Sequence, residues 1–395
     1  MQPPTIVEVT IERILPGGLG LAHAEGLTLF VALAAPGDIV KARIDRVRGK
    51  VAFASIAEIV QASPVRVAPP CPYFGICGGC DFQQLTYEAQ LSAKVEIIRD
   101  CLHRIGQIAD PPEIAMHAAP QPWQYRARAN WQFDPVTARL GYFESGSHNV
   151  CDVEVCAVLT PRLQKVLEDI RGELHNGSVP DRLKDIRAVA GDSNVSVAPA
   201  LGEYQTHDVT LSLAGESYSF NADSFFQVNP DLVEALVCEA IGDAKGKVAI
   251  DLFCGAGLFT LPLARRFESV TGVEMNSRAT RFALRNLQRA GLTNAEIVTT
   301  GVGDWLRDHS QSFESVDFLL LDPPRPGVEN KVIDGLLAMR PKRISYVSCD
   351  PATLARDLKK LIAAGYSLAS VAAFDMFPQT HHVETVAHLR DDPTL

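Results

Sequence analysis

Cys349 ends an apolar run, Ile344-Ser-Tyr-Val-Ser348, and is followed at once by Asp350 and Pro351. That order reads as a strand handing over to a helix, with Asp350 as N-cap and Pro351 at the first helical position. A thiol placed there feels the partial positive charge of the helix terminus, which favours the nucleophilic thiolate, while Asp350 opposes it. Free cysteines are often buried and inert, but burial alone accounts for neither the strand-end position nor the Asp-Pro cap. Glu384 follows two histidines in Thr380-His-His-Val-Glu384, just before a terminal strand. A glutamate is usually one half of a structural ion pair; beside histidines at an active edge it is a general-base candidate. Asp322, in Leu320-Leu-Asp-Pro-Pro-Arg-Pro-Gly327, closes another core strand and sets a second carboxylate at the same edge. A nucleophile with a nearby base is the minimum set for covalent catalysis.

A second group of residues suits a nucleoside. Asp251-Leu-Phe-Cys-Gly-Ala-Gly257 follows a largely apolar strand and opens a helix at Leu258. Gly255 and Gly257 let the backbone turn sharply and approach a ligand. A lone G-x-G is a weak signal, because nicotinamide-binding folds share it. Here the third glycine of the dinucleotide pattern is missing, and Glu274 closes the next strand, where a carboxylate can accept both ribose hydroxyls. A nucleoside without a pyrophosphate fits better than a dinucleotide. The arrangement resembles the class I methyltransferase fold that binds S-adenosylmethionine, which implies Asp304 near the adenine. In some amino-group methyltransferases an aromatic follows Asp-Pro-Pro; Arg325 stands there instead, which disfavours nitrogen as the methyl acceptor.

A third group is built from sulfur. Nine cysteines occur in 395 residues, and Cys71, Cys77 and Cys80 fall within ten positions. Met1-Gln-Pro-Pro-Thr does not begin a secretion signal, and no apolar run reaches the roughly 18 residues of a membrane span. The expectation is therefore metal ligation in a reducing, cytoplasmic setting rather than disulfides. Four thiolates would suit either zinc or an iron-sulfur cluster.

These residues need a scaffold. A hydrophobic content of 47% supports a large core and two or three folding units. Short β-like runs between residues 5 and 60, separated by Pro16-Gly17-Gly18 and Pro36-Gly37-Asp38, read as a small barrel. A Pro-rich joint at 63–70 precedes the cysteines, and a helix is expected over 87–105. Strand-like pieces with one helix near 163–171 occupy 121–220. From residue 248 strands alternate with helices: 248–253, 269–273, 296–299, 316–321 and 344–348. That alternation implies an α/β fold with a mainly parallel sheet and ligands at its carboxyl edge. The expected units are 1–62, 63–222 and 223–395, with the 87–105 helix a candidate to pack on the last.

The net charge of −10 sets a condition on any nucleic-acid partner: a local basic face must exist. Lys41 to Lys50 carries five basic residues and one acid. Tyr125-Arg-Ala-Arg-Ala-Asn-Trp131 is expected to mix arginine and aromatics on one strand face. A plain solvated strand face is an equally good account of either.

Taken together, the barrel, Cys71-Pro-Tyr-Phe-Gly-Ile-Cys77-Gly-Gly-Cys80, Ser224-Phe-Phe-Gln-Val-Asn229, Asp251 to Gly257, Asp322-Pro-Pro-Arg325, Ser348-Cys-Asp-Pro351 and Thr380-His-His-Val-Glu384 resemble the uracil-5 RNA methyltransferase family over nearly the whole chain. The resemblance implies a class I, Rossmann-like S-adenosylmethionine methyltransferase domain behind a TRAM barrel for RNA binding and an α+β iron-sulfur domain. It implies Cys349, Glu384 and Asp322 in catalysis, and Gln227, Phe253, Leu258, Glu274, Asp304 and Asp322 around the cofactor. Phe225 would stack on the target base and Gln227 would lie beside it. At Leu258 a ribosomal branch of the family has asparagine, so one cofactor contact is replaced or lost. The resemblance also implies a [4Fe-4S] cluster on Cys71, Cys77, Cys80 and Cys156, the last matching better than Cys151.

The expected partner is 23S ribosomal RNA, presented as a loop or flipped uridine to a monomeric, cytoplasmic enzyme. Transfer RNA is the first alternative. A cytosine-5 methyltransferase is another, disfavoured because its nucleophile sits in a Pro-Cys or Thr-Cys context. An inactive RNA-binding protein that keeps the fold is the last, disfavoured by the intact Cys349, Glu384 and Asp322.

Overall fold

The computed structural model describes residues 5–175 and 183–392. Its first unit is a barrel-like six-stranded sheet, from Ile6–Thr10 to Val51–Gln61, in the spatial order first, fifth, sixth, fourth, third, second. Alternating burial along Ile6–Thr10 sends Val7 and Val9 inward, where they meet Ala22, Leu29, Val40, Ala42, Ala52 and Ala54. The small alanines let the strands close over a thin core. Asp38 ties the sheet to the Pro-rich joint. Its buried carboxylate accepts N–H bonds from Ala35 and Ser63 at 2.8 and 2.9 Å and is paired with Arg66. Burial pushes the Asp38 carboxyl up, but Arg66 and those N–H groups together hold it below the usual range.

The second sheet has five antiparallel strands, ordered Val150–Asp152, Arg139–Phe143, Arg128–Asp134, Asp185–Ala190, Val195–Ala198. The helix Pro161–His175 covers it, with Leu163, Val166, Leu167 and Ile170 packed on Trp131, Ile186 and Ala188. Tyr125 and Trp131 are buried, while Arg126 and Arg128 lie on the opposite face of the same segment. The expected mixture of arginine and aromatics is therefore wrong. Period-two geometry puts residues 125, 127, 129 and 131 on the core side and leaves 126 and 128 on the other.

The third sheet has eight strands, ordered Ala295–Thr299, Phe267–Glu274, Gly246–Leu252, Phe318–Leu321, Arg343–Ser348, Glu384–Asp391, Tyr366–Phe374, Ile114–His117. The first five run parallel, and Glu384–Asp391 is antiparallel to both of its neighbours. From the central strand Gly246–Leu252 the chain winds first to one side and then to the other. Its carboxyl edge is thus the crevice where such folds bind ligands.

Two segments expected in the middle unit belong here. Ile114–His117 pairs in parallel with Tyr366–Phe374, and the helix Tyr87–Arg104 places Ile97, Ile98, Cys101 and Leu102 in one core with Leu354, Leu358 and Leu361. The ribbon Val209–Leu213 with Glu216–Phe220 is likewise tied to the helix Ser277–Arg289, through Ser219 N–H donating to Asn286 Oδ1 at 2.8 Å. Among the described residues no helix is long and apolar enough to cross a membrane.

The helix Tyr87–Arg104 also supplies the buried cation Lys94. It is paired with Asp375, both side chains being fully enclosed, and donates to the Phe377 carbonyl at 3.1 Å. These bonds hold the start of the turn that runs to Glu384. Removing one partner of a buried pair leaves an unpaired charge, so Lys94→Ala should cost about 3–5 kcal/mol. A fall in the denaturant midpoint at unchanged slope checks this, and an unchanged midpoint contradicts it.

Candidate active site

Four strand ends deliver the site. Leu252, Val273 and Leu321 are in register across the parallel strands, so the residues that follow them, Phe253, Glu274 and Asp322, share one edge. Ser348 pairs with Thr385 in the antiparallel ladder. Cys349 follows that pair on one strand and Glu384 precedes it on the other, so both stand at the same end of the ladder, and the Glu384 carboxylate acts on the thiol. The reversal of the final strand brings its first residue, Glu384, to the edge where the parallel strands end.

Asp350 caps the helix Pro351–Ala363, accepting the Thr353 N–H at 2.8 Å, with Pro351 in the first turn as expected. The charge balance differs from expectation. Burial, then the carboxylates of Glu384, Asp322 and Asp350, push the Cys349 thiol up to about 12, and Arg325 pulls the other way. The helix terminus does not win, because three acids and partial burial outweigh half a unit of positive charge. Burial and then Asp322 also raise the Glu384 carboxyl well above its ordinary value, against Arg325. Burial lifts Asp322 to about 7. His382, which stands 3.4 Å from Arg325, is pushed down to about 3 by burial, His381 and Arg325, and so is a neutral ring.

The glycine loop turns left-handed three times, at Phe253 (φ 64°), Gly255 (φ 55°) and Gly257 (φ 86°). A Cβ on Gly257 would lie 3.1 Å from Leu261 Cδ1 and 3.4 Å from the Ala283 backbone, so that glycine serves packing. A Cβ on Gly255 would meet nothing within 4 Å among the described residues, which leaves an open cradle. Glu274 stands at its mouth, accepting the Gly255 N–H at 3.2 Å and the Asn276 N–H at 2.7 Å. Beneath the loop, Thr260 donates to Asp251 Oδ2 at 2.5 Å, while Asp251 Oδ1 is buried without a partner.

Two expected cofactor contacts sit differently. Leu258 belongs to the apolar core, and its carbonyl accepts from the Tyr218 hydroxyl at 3.2 Å. Asp304 is more than half exposed and pairs with Arg307 at 2.9 Å in the first turn of Val302–His309. Its carboxylate is engaged at the surface.

Ser224-Phe-Phe-Gln227 is anchored by alternation. Phe226 turns inward and stacks on Phe220 with centroids 4.1 Å apart, and Gln227 is buried. Phe225 turns outward, 64% exposed, with the Arg128 guanidinium 5.9 Å from its ring. Arg128 also donates to the carbonyls of Ser224 at 2.7 Å and Ala222 at 3.2 Å. The sequence reading missed this anchoring role of Arg128, because its partners lie about a hundred residues away.

Cys71, Cys77, Cys80 and Cys156 line one cavity with Tyr73, Arg126 and Tyr142, whereas Cys151 lies in the adjacent core. All four are free thiols. Burial pushes Cys77 up to about 11 and Cys80 to about 12. Gly79 N–H donates to Cys77 Sγ at 3.4 Å. Among the described residues no three His, Cys, Asp or Glu side chains stand close enough together to hold one metal ion.

Comparison with known proteins agrees with this architecture. Residues 203–391 match the family model described as tRNA (uracil-5-)-methyltransferase, and residues 4–57 match the TRAM domain. The chain is 34% identical to a protein of Alkalilimnicola ehrlichii named 23S rRNA (uracil(1939)-C(5))-methyltransferase RlmD, over 96% of this chain and 95% of that one. It is 32% identical to the RlmD of Pectobacterium atrosepticum, over 98% and 94% of the two chains. The crystal structure of the Pyrococcus abyssi tRNA (uracil-54, C5)-methyltransferase with S-adenosyl-L-homocysteine shares the fold, with a TM-score of 0.75 at 24% identity over 97% of this chain and 100% of that one. The chain belongs to the RNA uracil-5 methyltransferase family and carries its catalytic sheet behind an N-terminal TRAM domain.

Proposed function

We propose that the protein transfers a methyl group from S-adenosylmethionine to carbon 5 of a uracil in RNA, and that Cys349 and Glu384 carry the reaction. The observation behind this assignment is that both stand at one end of the antiparallel ladder, near enough for the Glu384 carboxylate to act on the thiol, at the edge where Asp322 and the glycine loop also end. The open cradle at Gly255, the carboxylate of Glu274 beside it and the unpartnered Asp251 oxygen suit a nucleoside with a ribose to hold. Phe253 and Gln227 would complete that pocket. When bound, S-adenosylmethionine supplies a methyl group on a positively charged sulfur, and that charge offsets the carboxylates that keep Cys349 protonated.

The chain's own residues then account for the chemistry. Cys349 gives up its thiol proton to solvent as its Sγ bonds to carbon 6 of the uracil, and the displaced π electrons make carbon 5 and the adjoining carbonyl an enolate that attacks the methyl group, whose bond to the sulfonium sulfur breaks to leave a neutral thioether. Glu384 takes the proton from carbon 5. The electron pair left behind restores the ring double bond and expels the sulfur of Cys349. Burial suits Glu384 to this work, since a carboxylate of raised proton affinity is the stronger base. Phe225, exposed and backed by Arg128, offers a stacking face for a base turned out of its strand.

Large-subunit ribosomal RNA is the proposed substrate. It is supported by relatives named for 23S rRNA that match nearly end to end, whereas the likeness to the transfer RNA enzyme is one of fold. We also infer a [4Fe-4S] cluster on Cys71, Cys77, Cys80 and Cys156. The four cysteines line one cavity, and four thiolates suit such a cluster. No step of the reaction is an oxidation or a reduction, so the cluster's role here is to shape the fold around it.

Two outcomes are expected. Cys349→Ala should abolish the covalent complex with RNA containing 5-fluorouridine. Glu384→Gln should slow turnover about 10²–10⁴-fold and leave a methylated adduct on ordinary RNA. A complex that persists in Cys349→Ala would refute the nucleophile. For the cluster, Cys77→Ser should lower bound iron and the associated visible absorbance. Normal iron content in that variant would count against the assignment.

A further inference from the structure

Asp81 follows Cys80 directly and grips His381 twice. Its Oδ1 accepts the His381 backbone N–H at 2.8 Å, and its Oδ2 is hydrogen-bonded to the ring Nδ1. The backbone N–H groups of Asp81 and Phe82 both donate to the Gln379 carbonyl, at 3.1 and 3.0 Å. Gln379 itself is buried in a left-handed conformation, with φ at 69°. Its amide and side chain are bonded in turn to Gln90, at 2.9 and 3.0 Å. The turn that leads to Glu384 is therefore laced to the segment after Cys80 along consecutive residues.

A third element reaches the same point. Gly18, in the barrel loop, is buried with φ at 79°; a Cβ there would come within 3.1 Å of both Asp81 Oδ2 and His381 Cβ. Barrel loop, cysteine segment and catalytic turn thus converge on one carboxylate. Beyond it the chain is short. The His381 ring lies 4.1 Å from that of His382, His382 meets Arg325, and Glu384 is two residues further on. An Asp-His pair at a surface usually contributes little. Here one of the two bonds fixes the backbone, so losing it moves the chain and not only a ring.

We propose that Asp81 is a positioning residue for methyl transfer: by clamping His381 to the segment beside Cys80 and to the barrel loop, it sets where Glu384 stands relative to Cys349. Asp81 touches no reacting atom. The proposal rests on the reading of Glu384 as the base, and it gives the cysteine cavity and the barrel a direct mechanical link to the active edge.

The step most exposed to a misplaced base is the release of Cys349. The test uses full-length Asp81→Ala, Asp81→Asn, Gly18→Ala and Glu384→Gln variants, assayed for turnover and for adduct on ordinary uridine-containing RNA. A displacement near 1 Å can cost about 10²-fold, so Asp81→Ala should lower kcat roughly 10- to 100-fold and accumulate adduct as Glu384→Gln does. KM for S-adenosylmethionine should stay within about threefold, because the clamp is not part of the glycine loop. Asp81→Asn keeps an oxygen for the His381 amide and should recover most of kcat. Gly18→Ala keeps the Asp81 and cysteine side chains but crowds the Asp81–His381 contact, and should reproduce the adduct even where Asp81→Ala folds poorly. Adduct with Glu384→Gln but with neither Asp81→Ala nor Gly18→Ala overturns the positioning role and leaves the base assigned. Adduct with none of the variants overturns the base assignment and this inference together.

Discussion

The site is governed by the difficulty of keeping negative charge at a dry strand edge. Cys349, Glu384 and Asp322 crowd there, with Asp350 close behind and Arg325 as the opposing cation. Burial penalises every ionised form, and each carboxylate raises the proton affinity of its neighbours. A reaction needing first a thiolate and then a carboxylate base must create those charges one at a time. For the proposed mechanism this accounts for a nucleophile stored as a thiol with a cationic methyl donor beside it. The same burial that makes Cys349 slow to ionise makes its thiolate and the Glu384 carboxylate strong once formed.

Holding these groups together depends on contacts made far apart in the chain. The parallel strands align Phe253, Glu274 and Asp322 by register and carry Cys349 to the same edge two residues further on. Glu384 arrives by a different route, on a reversed strand at the end of a long turn. That turn is fixed by Lys94 on Asp375 and Phe377, by Gln90 on Gln379, and by Tyr125 donating to the Pro378 carbonyl at 2.9 Å. The second sheet holds Phe225 through Arg128 in the same manner. Rigid strands position the proposed nucleophile, while neighbouring units position the proposed base and the proposed base-stacking surface.

What the sequence disclosed follows from which interactions are local. Apolar runs ending in Asp322 and Cys349, and the Asp350-Pro351 cap, depend on a few adjacent residues, so strand ends and helix start were legible. The cysteine cluster was legible from spacing, and Cys156 does line the same cavity as the other three. The ionisation of Cys349 was not, because it depends on Glu384 and Asp322 arriving from elsewhere. The helix Tyr87–Arg104 was recognised, but Ile114–His117 joining the far edge of the catalytic sheet leaves no local signal. In Tyr125–Trp131 the composition mixes arginine with aromatics, but strand parity separates them onto two faces. Asp304 was placed by likeness, whereas its surface pairing with Arg307 is set by helix geometry.

The central claim is that ligand-free Cys349 is held as a thiol by its burial and by the carboxylates around it. Its alkylation rate against pH, followed by mass spectrometry on the peptide that contains it, measures this directly. A thiol pushed up to about 12 should give a rate still climbing through about pH 10. A rate that has already levelled off by about pH 8 would mean that the thiolate is the resting form, and would contradict the charge balance on which the account stands.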